Sequence, residues 1–141
     1  MPTHNQAPLY HDLEELDLWA MEMCDRLPKG MFSVQHRGIE LLHEITEAKT
    51  ACDMAYQTTN LEERMELLAA LTYHLTNVKS ATKILYLWSS RTGQAVRLIS
   101  IKQHGAQLQL MTKIGSQLGR WMKSTEAALA SGATAGSVAS D

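Results

Sequence analysis

The chain has 141 residues, a formal net charge of −2 and an aromatic content of only 6%. This length accommodates a single domain with a modest core, and the abundance of Leu, Met and Ala favours helices over strands. The sequence has neither an apolar run of about 18 residues nor a secretory signal pattern, so we expect a cytoplasmic protein without membrane contact. Cys24 and Cys52 lie within apolar helical patterns and are expected to be reduced core thiols.

The charges are divided unevenly along the chain. Residues 1–66 contain 13 acidic and five basic residues, whereas residues 67–125 contain eight basic residues and no acidic one. Because like charges repel one another when a chain compacts, a segment of one sign favours a polyanionic partner, and nucleic acid is the first hypothesis. The alternative is that the acidic half neutralises the basic half within the molecule.

The first predicted helix covers residues 8–26, and residues 1–7 before it are expected to be flexible. Pro8 stands in the first turn, where a proline is tolerated because the first backbone N–H groups of a helix have no internal partner. Apolar residues recur in this segment at the spacing of one helical face. They are Leu9, Leu13, Leu16, Met23 and Leu27.

The second and third predicted helices follow after short connections. The second begins after Ser33, which we expect to be its N-cap, and continues to about Tyr56. Its apolar stripe consists of Val34, Leu41, Leu42, Ile45, Ala48 and Cys52. The third runs from Leu61, after a capping-box pattern of Asn60 and Glu63, to about Arg91, and Gly93 suits its C-terminal cap. Its apolar residues include Leu68, Leu75, Val78, Leu85 and Trp88.

The fourth predicted helix begins at a second capping-box pattern, Ser100 with Gln103, and continues to about Lys123. Apolar or small residues recur along it at heptad spacing, and we expect this stripe to face inward. The stripe consists of Ile101, His104, Leu108, Met111, Gly115, Leu118 and Met122. Gly115 and Gly119 remove side chains from one ridge and are expected to let another helix approach closely.

Short connections between long helices favour antiparallel neighbours, so residues 8–124 are predicted to form an all-α, up-down-up-down four-helix bundle. Residues 125–141 are rich in Ala, Ser, Gly and Thr, and we expect a disordered tail that folding does not require. The core of such a bundle is marginal alone, which favours a homo-oligomer. Gly115, Gly119 and Trp121 are the residues predicted to pack its helices.

All basic residues of segment 67–125 are candidate contacts to nucleic acid or to an acidic partner. They are Lys79, Lys83, Arg91, Arg97, Lys102, Lys113, Arg120 and Lys123. If the fourth helix is oriented as above, these residues form one band of positive charge, which contacts phosphates without reading base sequence. Tyr86, Trp88 and Trp121 are interleaved with them. Aromatic residues at this spacing pack in a core or subunit interface more often than they stack on bases.

Groups capable of catalysis are sparse. Residues Glu40 to His43 have the Glu-x-x-His form of di-iron bundles, but such sites need two copies, and the chain contains one. There is no phosphate-binding glycine loop, nucleophile elbow or credible Ser/His/Asp set. We therefore predict a non-enzymatic protein without a metal or cofactor.

The fourth helix carries a resemblance to a known family. It combines a Ser-x-x-Gln start at Ser100 with a Gly-x-x-x-Gly-x-Trp close at Gly115, Gly119 and Trp121. This pattern resembles the ending of the Avd proteins, the accessory variability determinants of diversity-generating retroelements. The similarity covers about residues 9–124 and includes an early Leu-Pro-Lys at residues 27–29.

The resemblance implies a homopentameric barrel of four-helix bundles whose basic surface binds a reverse transcriptase and its template RNA, or an RNA/DNA intermediate, during mutagenic retrohoming. Outside the fourth helix the pattern also fits other helical bundles, including the proteins encoded in ribosomal RNA intervening sequences. The alternative function is therefore a four-helix scaffold of that kind, whose basic face binds an acidic protein.

Overall fold

The computed structural model describes residues 7–92 and 98–132, except for the side chains of residues 89–92. Four helices occupy this part of the chain: α1 (Pro8–Asp25), α2 (Phe32–Gln57), α3 (Leu61–Thr92) and α4 (Ile101–Ser131). Neither described range contains a strand, which confirms the all-α prediction. None of the four helices combines the length and apolar character needed to cross a membrane.

Hydrogen bonds at the helix starts confirm the capping patterns predicted for α3 and α4. Glu63 donates its backbone N–H to Asn60 Oδ1 at 3.0 Å at the start of α3. At the start of α4, Ser100 and Gln103 form both bonds of a capping box, at 2.8 and 3.0 Å. The prediction for α2 is wrong, because the helix begins at Phe32, with Met31 as its N-cap. Ser33 therefore lies within the first turn. Gly93 lies outside the described residues.

The predicted core stripe of α1 is confirmed, since all five of its apolar residues are buried. The stripes of α2 and α3 are also buried, apart from Leu42 and Trp88, which are partly exposed. Each helix packs against the next in the chain, and α4 packs against α1. The core therefore lies between all four helices.

The orientation of α4 differs from the predicted one. Ile101 is 67% exposed and Gly115 is exposed, while Leu108, Met111 and Met122 are only partly buried. The residues that α4 buries are Gln107, Ile114, Gln117, Leu118, Trp121, Thr125 and Ala128. Two apolar stripes overlap on this helix and share Leu118. Because Trp121 has the largest apolar surface to bury, its stripe faces the core.

The C-terminal part of α4 corrects a second expectation. The helix continues through Ser131 and ends at Gly132, whose φ of 74° is the left-handed conformation of a glycine cap. Thr125 is fully buried and Ala128 is 8% exposed. Residues 125–132 are therefore not a disordered tail, and residues 133–141 lie outside the described part.

The N-terminal expectation is corrected at one residue. Ala7, which was expected to be flexible, is 2% exposed, and its carbonyl accepts a hydrogen bond from the His11 N–H at 3.0 Å. This bond closes the first turn of α1, so Ala7 serves as the N-cap of the helix. Residues 1–6 lie outside the described part.

Truncation tests the role of the last two turns of α4. Ending the chain after Lys123 should lower the free energy of unfolding by about 1–2 kcal/mol, because Thr125 and Ala128 lose their burial. Such a loss lowers the melting temperature by several degrees in thermal unfolding followed by circular dichroism. Ending the chain after Gly132 is the control and should leave it unchanged. Equal melting temperatures for both truncations would show that these turns stabilise nothing.

Cys24 and Cys52 are both free, as predicted. Burial raises the pKa of the Cys52 thiol to about 12 and that of Cys24 to about 11, with smaller contributions from the negative charges of the adjacent Asp53 and Asp25. The Cys24 thiol also donates a hydrogen bond to the Gly38 carbonyl at 3.6 Å. Thiols with such pKa values stay protonated and unreactive at neutral pH.

Candidate nucleic-acid interface

Six of the eight predicted basic contacts have described side chains, and all six are exposed. They are Lys79 and Lys83 on α3, and Lys102, Lys113, Arg120 and Lys123 on α4. Arg91 belongs to α3, but its side chain is not described, and Arg97 lies outside the described residues. Exposure of the six is the first requirement for contact with a polyanion.

The cations of α4 follow one side of that helix, and we call Lys102, Lys113, Arg120 and Lys123 the α4 basic stripe. Lys113 Nζ lies 3.2 Å from Asp12 Oδ1, which places it on the side that faces α1. Lys102 and Arg120 are eleven and seven residues away, close to whole numbers of helical turns, and therefore share that side. Lys123 lies one turn beyond Arg120.

The buried Asp12 connects the α4 basic stripe to the core through its contact with Lys113. It is 3% exposed, and its Oδ2 accepts a hydrogen bond from Gln117 Nε2 at 2.5 Å. Because a buried carboxylate is costly without partners, Lys113 and Gln117 together stabilise it, and Lys113 has a structural role. Lys102, Arg120 and Lys123 form no ion pair with any described residue. Internal neutralisation thus accounts for one member of the stripe.

Lys79, on α3, lies near the side of α4 opposite to the one that faces α1. It lines an open groove of about 390 Å³ between α3 and α4, whose apolar lining includes Leu75, Leu108 and Met111. We call this the α3–α4 groove. The single band expected from the sequence is therefore divided between the groove and the α1 side of α4. The cause is the rotated orientation of α4.

Gly115 and Gly119 line the α3–α4 groove. A Cβ atom added to either glycine would have nothing within 4 Å apart from its chain neighbours and the nearby backbone of α4 itself, so no other described helix approaches them closely. None of the described helices of the same chain therefore uses the space that the two glycines leave. The close approach occurs instead at Gly38 of α2, where a Cβ would lie 2.9 Å from Leu27 Cδ1.

The aromatic residues near the cations are used mainly for packing. Trp121 is fully buried, with its ring centroid 4.4 Å from that of Tyr56. Tyr86 stacks on His104 at 4.2 Å across the α3–α4 contact, and both are partly exposed. Trp121 is thus a core residue and cannot stack on a base in this fold.

Glu40 and Glu44 of α2 each have a histidine partner. His36 lies 2.9 Å from Glu40, while Glu44 accepts hydrogen bonds from His74 at 2.7 Å and Asn77 at 3.2 Å. Burial alone would raise the pKa of Glu44, but these hydrogen bonds and the nearby histidine charges lower it. In residues 7–92 and 98–132 no group of three or more potential ligands is arranged to hold a metal ion.

Arg64 is a buried residue that the sequence interpretation did not single out. Its Nε donates to the Ala55 carbonyl at 2.9 Å and its Nη2 to the Thr58 carbonyl at 3.2 Å, which caps the end of α2. Its guanidinium also lies 5.5 Å from the centroid of the Trp121 ring. The signal was available, because Arg64 continues the heptad spacing of Leu61, Leu68 and the buried residues that follow.

No known protein family, curated protein or solved structure matches this sequence. The described structure defines the chain as an all-α protein of four helices, and the surface that distinguishes it is the α4 basic stripe.

Proposed function

We propose that this chain is a non-enzymatic accessory subunit of a reverse transcriptase, as in diversity-generating retroelements, and that it binds template RNA or an RNA/DNA intermediate during mutagenic retrohoming. The association with a reverse transcriptase rests on the resemblance of the fourth helix to the Avd proteins, and one observation carries the RNA binding. Lys102, Arg120 and Lys123 are exposed without an ion pair to any described residue, in a segment without acidic residues from 67 to 125. Such cations bind phosphates irrespective of base sequence.

The proposed architecture is an up-down-up-down bundle. Arg64, early in α3, bonds to Ala55 late in α2, whereas His74, later in α3, bonds to Glu44, earlier in α2. In antiparallel helices, residue numbers increase along one helix while those of their contact partners decrease along the other. The Thr72–Met122 and Thr82–Gln107 contacts follow the same rule for α3 and α4.

We further propose a homopentamer. The support is the apolar α3–α4 groove, which no described segment covers, together with the small core of a chain of this length. A ring would also repeat the α4 basic stripe several times. One RNA could then contact several copies, and weak phosphate contacts would combine into high avidity.

Co-purification tests the proposed function most specifically. We expect the tagged chain, co-expressed with the reverse transcriptase and RNA of a diversity-generating retroelement, to retain both. The matched variant carries Lys102→Ala, Arg120→Ala and Lys123→Ala, and should lose the RNA. Ribonuclease treatment shows whether the polymerase is held directly. Absence of both polymerase and RNA from the purified parent would overturn the proposal.

The second candidate is a scaffold whose basic face binds an acidic protein. The Lys113–Asp12 ion pair favours it, because it shows a carboxylate on the α4 basic stripe. Retention of acidic proteins and exclusion of RNA in the same purification would support this function instead.

A further inference from the structure

The α3–α4 groove is an apolar surface that the described chain leaves open. Leu108 and Met111 are partly exposed along it, and Gly115 and Gly119 leave space at its base. These residues recur at the heptad spacing by which one helix presents a seam to another. Because two helices already form the walls, the missing element is a third helix.

The α3–α4 groove is also positively charged. Lys79 lines it, Lys83 lies one turn away, and no acidic residue is among its lining. Neither lysine has an ion pair within residues 7–88 and 98–132. A helix with exposed apolar residues and acidic flanks would therefore complement the groove in both hydrophobicity and charge.

The chain itself has such a surface on α1. Leu18 and Met21 are 55% and 52% exposed and lie three residues apart, so they face solvent together. Glu14, Glu22 and Asp25 lie one turn from one or the other, and α1 contains no Lys or Arg. None of these three carboxylates has an ion pair among the described residues. We call Glu14, Leu18, Met21, Glu22 and Asp25 the α1 outer face.

We infer that the α3–α4 groove of one copy receives the α1 outer face of a second copy. The two surfaces belong to different parts of the chain, so the contact is head-to-tail, and each copy uses one surface of each kind. A head-to-tail contact that closes produces a ring. The inference rests on the proposed oligomer and specifies which surfaces form it.

The contact leaves the α4 basic stripe uncovered, because both of its surfaces face away from the stripe. On α1, Asp12 marks the side that contacts α4, and it lies about 120° around the helix from Leu18. Lys113 pairs with Asp12 on the α1 side of α4, away from the groove that Lys79 lines. Self-association through the groove and RNA binding through the stripe can therefore occur at once. Each can also be removed without the other.

Two blocking variants separate the surfaces. Gly115→Trp fills the groove, and the open space around Gly115 indicates that the fold tolerates the side chain. Leu18→Lys with Met21→Lys removes the apolar residues and offsets most of the negative charge of Glu14, Glu22 and Asp25 on the α1 outer face. Gly119→Gln is a second groove variant if Gly115→Trp unfolds. The matched controls are Gly105→Trp, also in open space but outside the groove lining, and Phe32→Lys, which is 84% exposed on α2.

Light scattering after size exclusion gives the expected results. The parent and both controls should be oligomers, and each blocking variant alone should be a monomer of 15.7 kDa. A mixture of the two blocking variants should give a dimer, because one intact groove and one intact α1 outer face remain. That partial rescue is the signature of a head-to-tail contact.

Four results would overturn the inference. Blocking variants that keep the size of an oligomeric parent would show that other surfaces join the copies, while the proposed function stands. A mixture that stays monomeric would exclude the head-to-tail pairing. Groove variants that keep their oligomer but lose the reverse transcriptase would assign the groove to that partner. A monomeric parent that still binds RNA would overturn the oligomer and leave RNA binding intact.

Discussion

Replacing Lys102, Arg120 and Lys123 with alanine should weaken binding to single-stranded RNA by about 100-fold in 0.1 M salt. Each phosphate contact with single-stranded RNA contributes about 0.7 units to the slope of log affinity against log salt, which corresponds to about fivefold per contact at this salt concentration. In an oligomer the loss should be larger, because one RNA contacts several copies. Lys113 is retained in this variant, since its removal would leave the buried Asp12 without its cation.

Fluorescence anisotropy of a labelled RNA measures this change, and circular dichroism checks that the helices persist. The matched control removes three cations from the acidic half, through Arg26→Ala, Lys29→Ala and Arg37→Ala, which are all exposed. It should bind RNA nearly as tightly as the parent. Equal weakening by both variants would mean that net charge alone governs binding and that the α4 basic stripe has no special role.

Trp121→Ala should lower the free energy of unfolding by about 3–5 kcal/mol, the usual cost of removing a fully buried tryptophan. The variant loses the contact with Tyr56. It also exposes the guanidinium of Arg64, which lies beside the indole ring in the parent protein. Typical domains have a total stability of about 5–15 kcal/mol, so the variant will be close to unfolding. Urea unfolding followed by circular dichroism measures the difference.

Phe32→Ala is the matched control for this prediction. Phe32 is 84% exposed, and its replacement should change the free energy of unfolding by less than about 0.5 kcal/mol. If Trp121→Ala proves as mild as Phe32→Ala, the orientation described for α4 is wrong. Trp121 would then be available for contact with RNA or with another copy.

Local sequence signals were sufficient to locate most helix boundaries. The starts of α3 and α4 follow from Asn60 and Ser100, whose side chains bond to backbone groups within three residues. The rotation of α4 does not follow from local signals. Which of its two overlapping stripes faces the core depends on how Trp121 and Ile114 fit against the other helices. The end of α4 was missed because small residues such as Ala128 give the same composition to a packed final turn and to a disordered tail.

The candidate interface was predictable in composition but not in arrangement. That the cations are exposed follows from their type, because an unpaired lysine or arginine is rarely buried. The pairing of Lys113 with Asp12 joins residues far apart in the chain, and no spacing rule identifies such a partner. The separation of Lys79 from the α4 basic stripe depends on the same rotation of α4 that the sequence left ambiguous.

The most direct test of the proposed function is the affinity of the parent protein for single-stranded RNA at increasing salt, with polyglutamate as a competitor. Three phosphate contacts by Lys102, Arg120 and Lys123 predict a slope of about −2 or steeper in log affinity against log salt. RNA should also be bound more tightly than polyglutamate. A slope near zero, or a preference for polyglutamate, would contradict RNA binding by the α4 basic stripe.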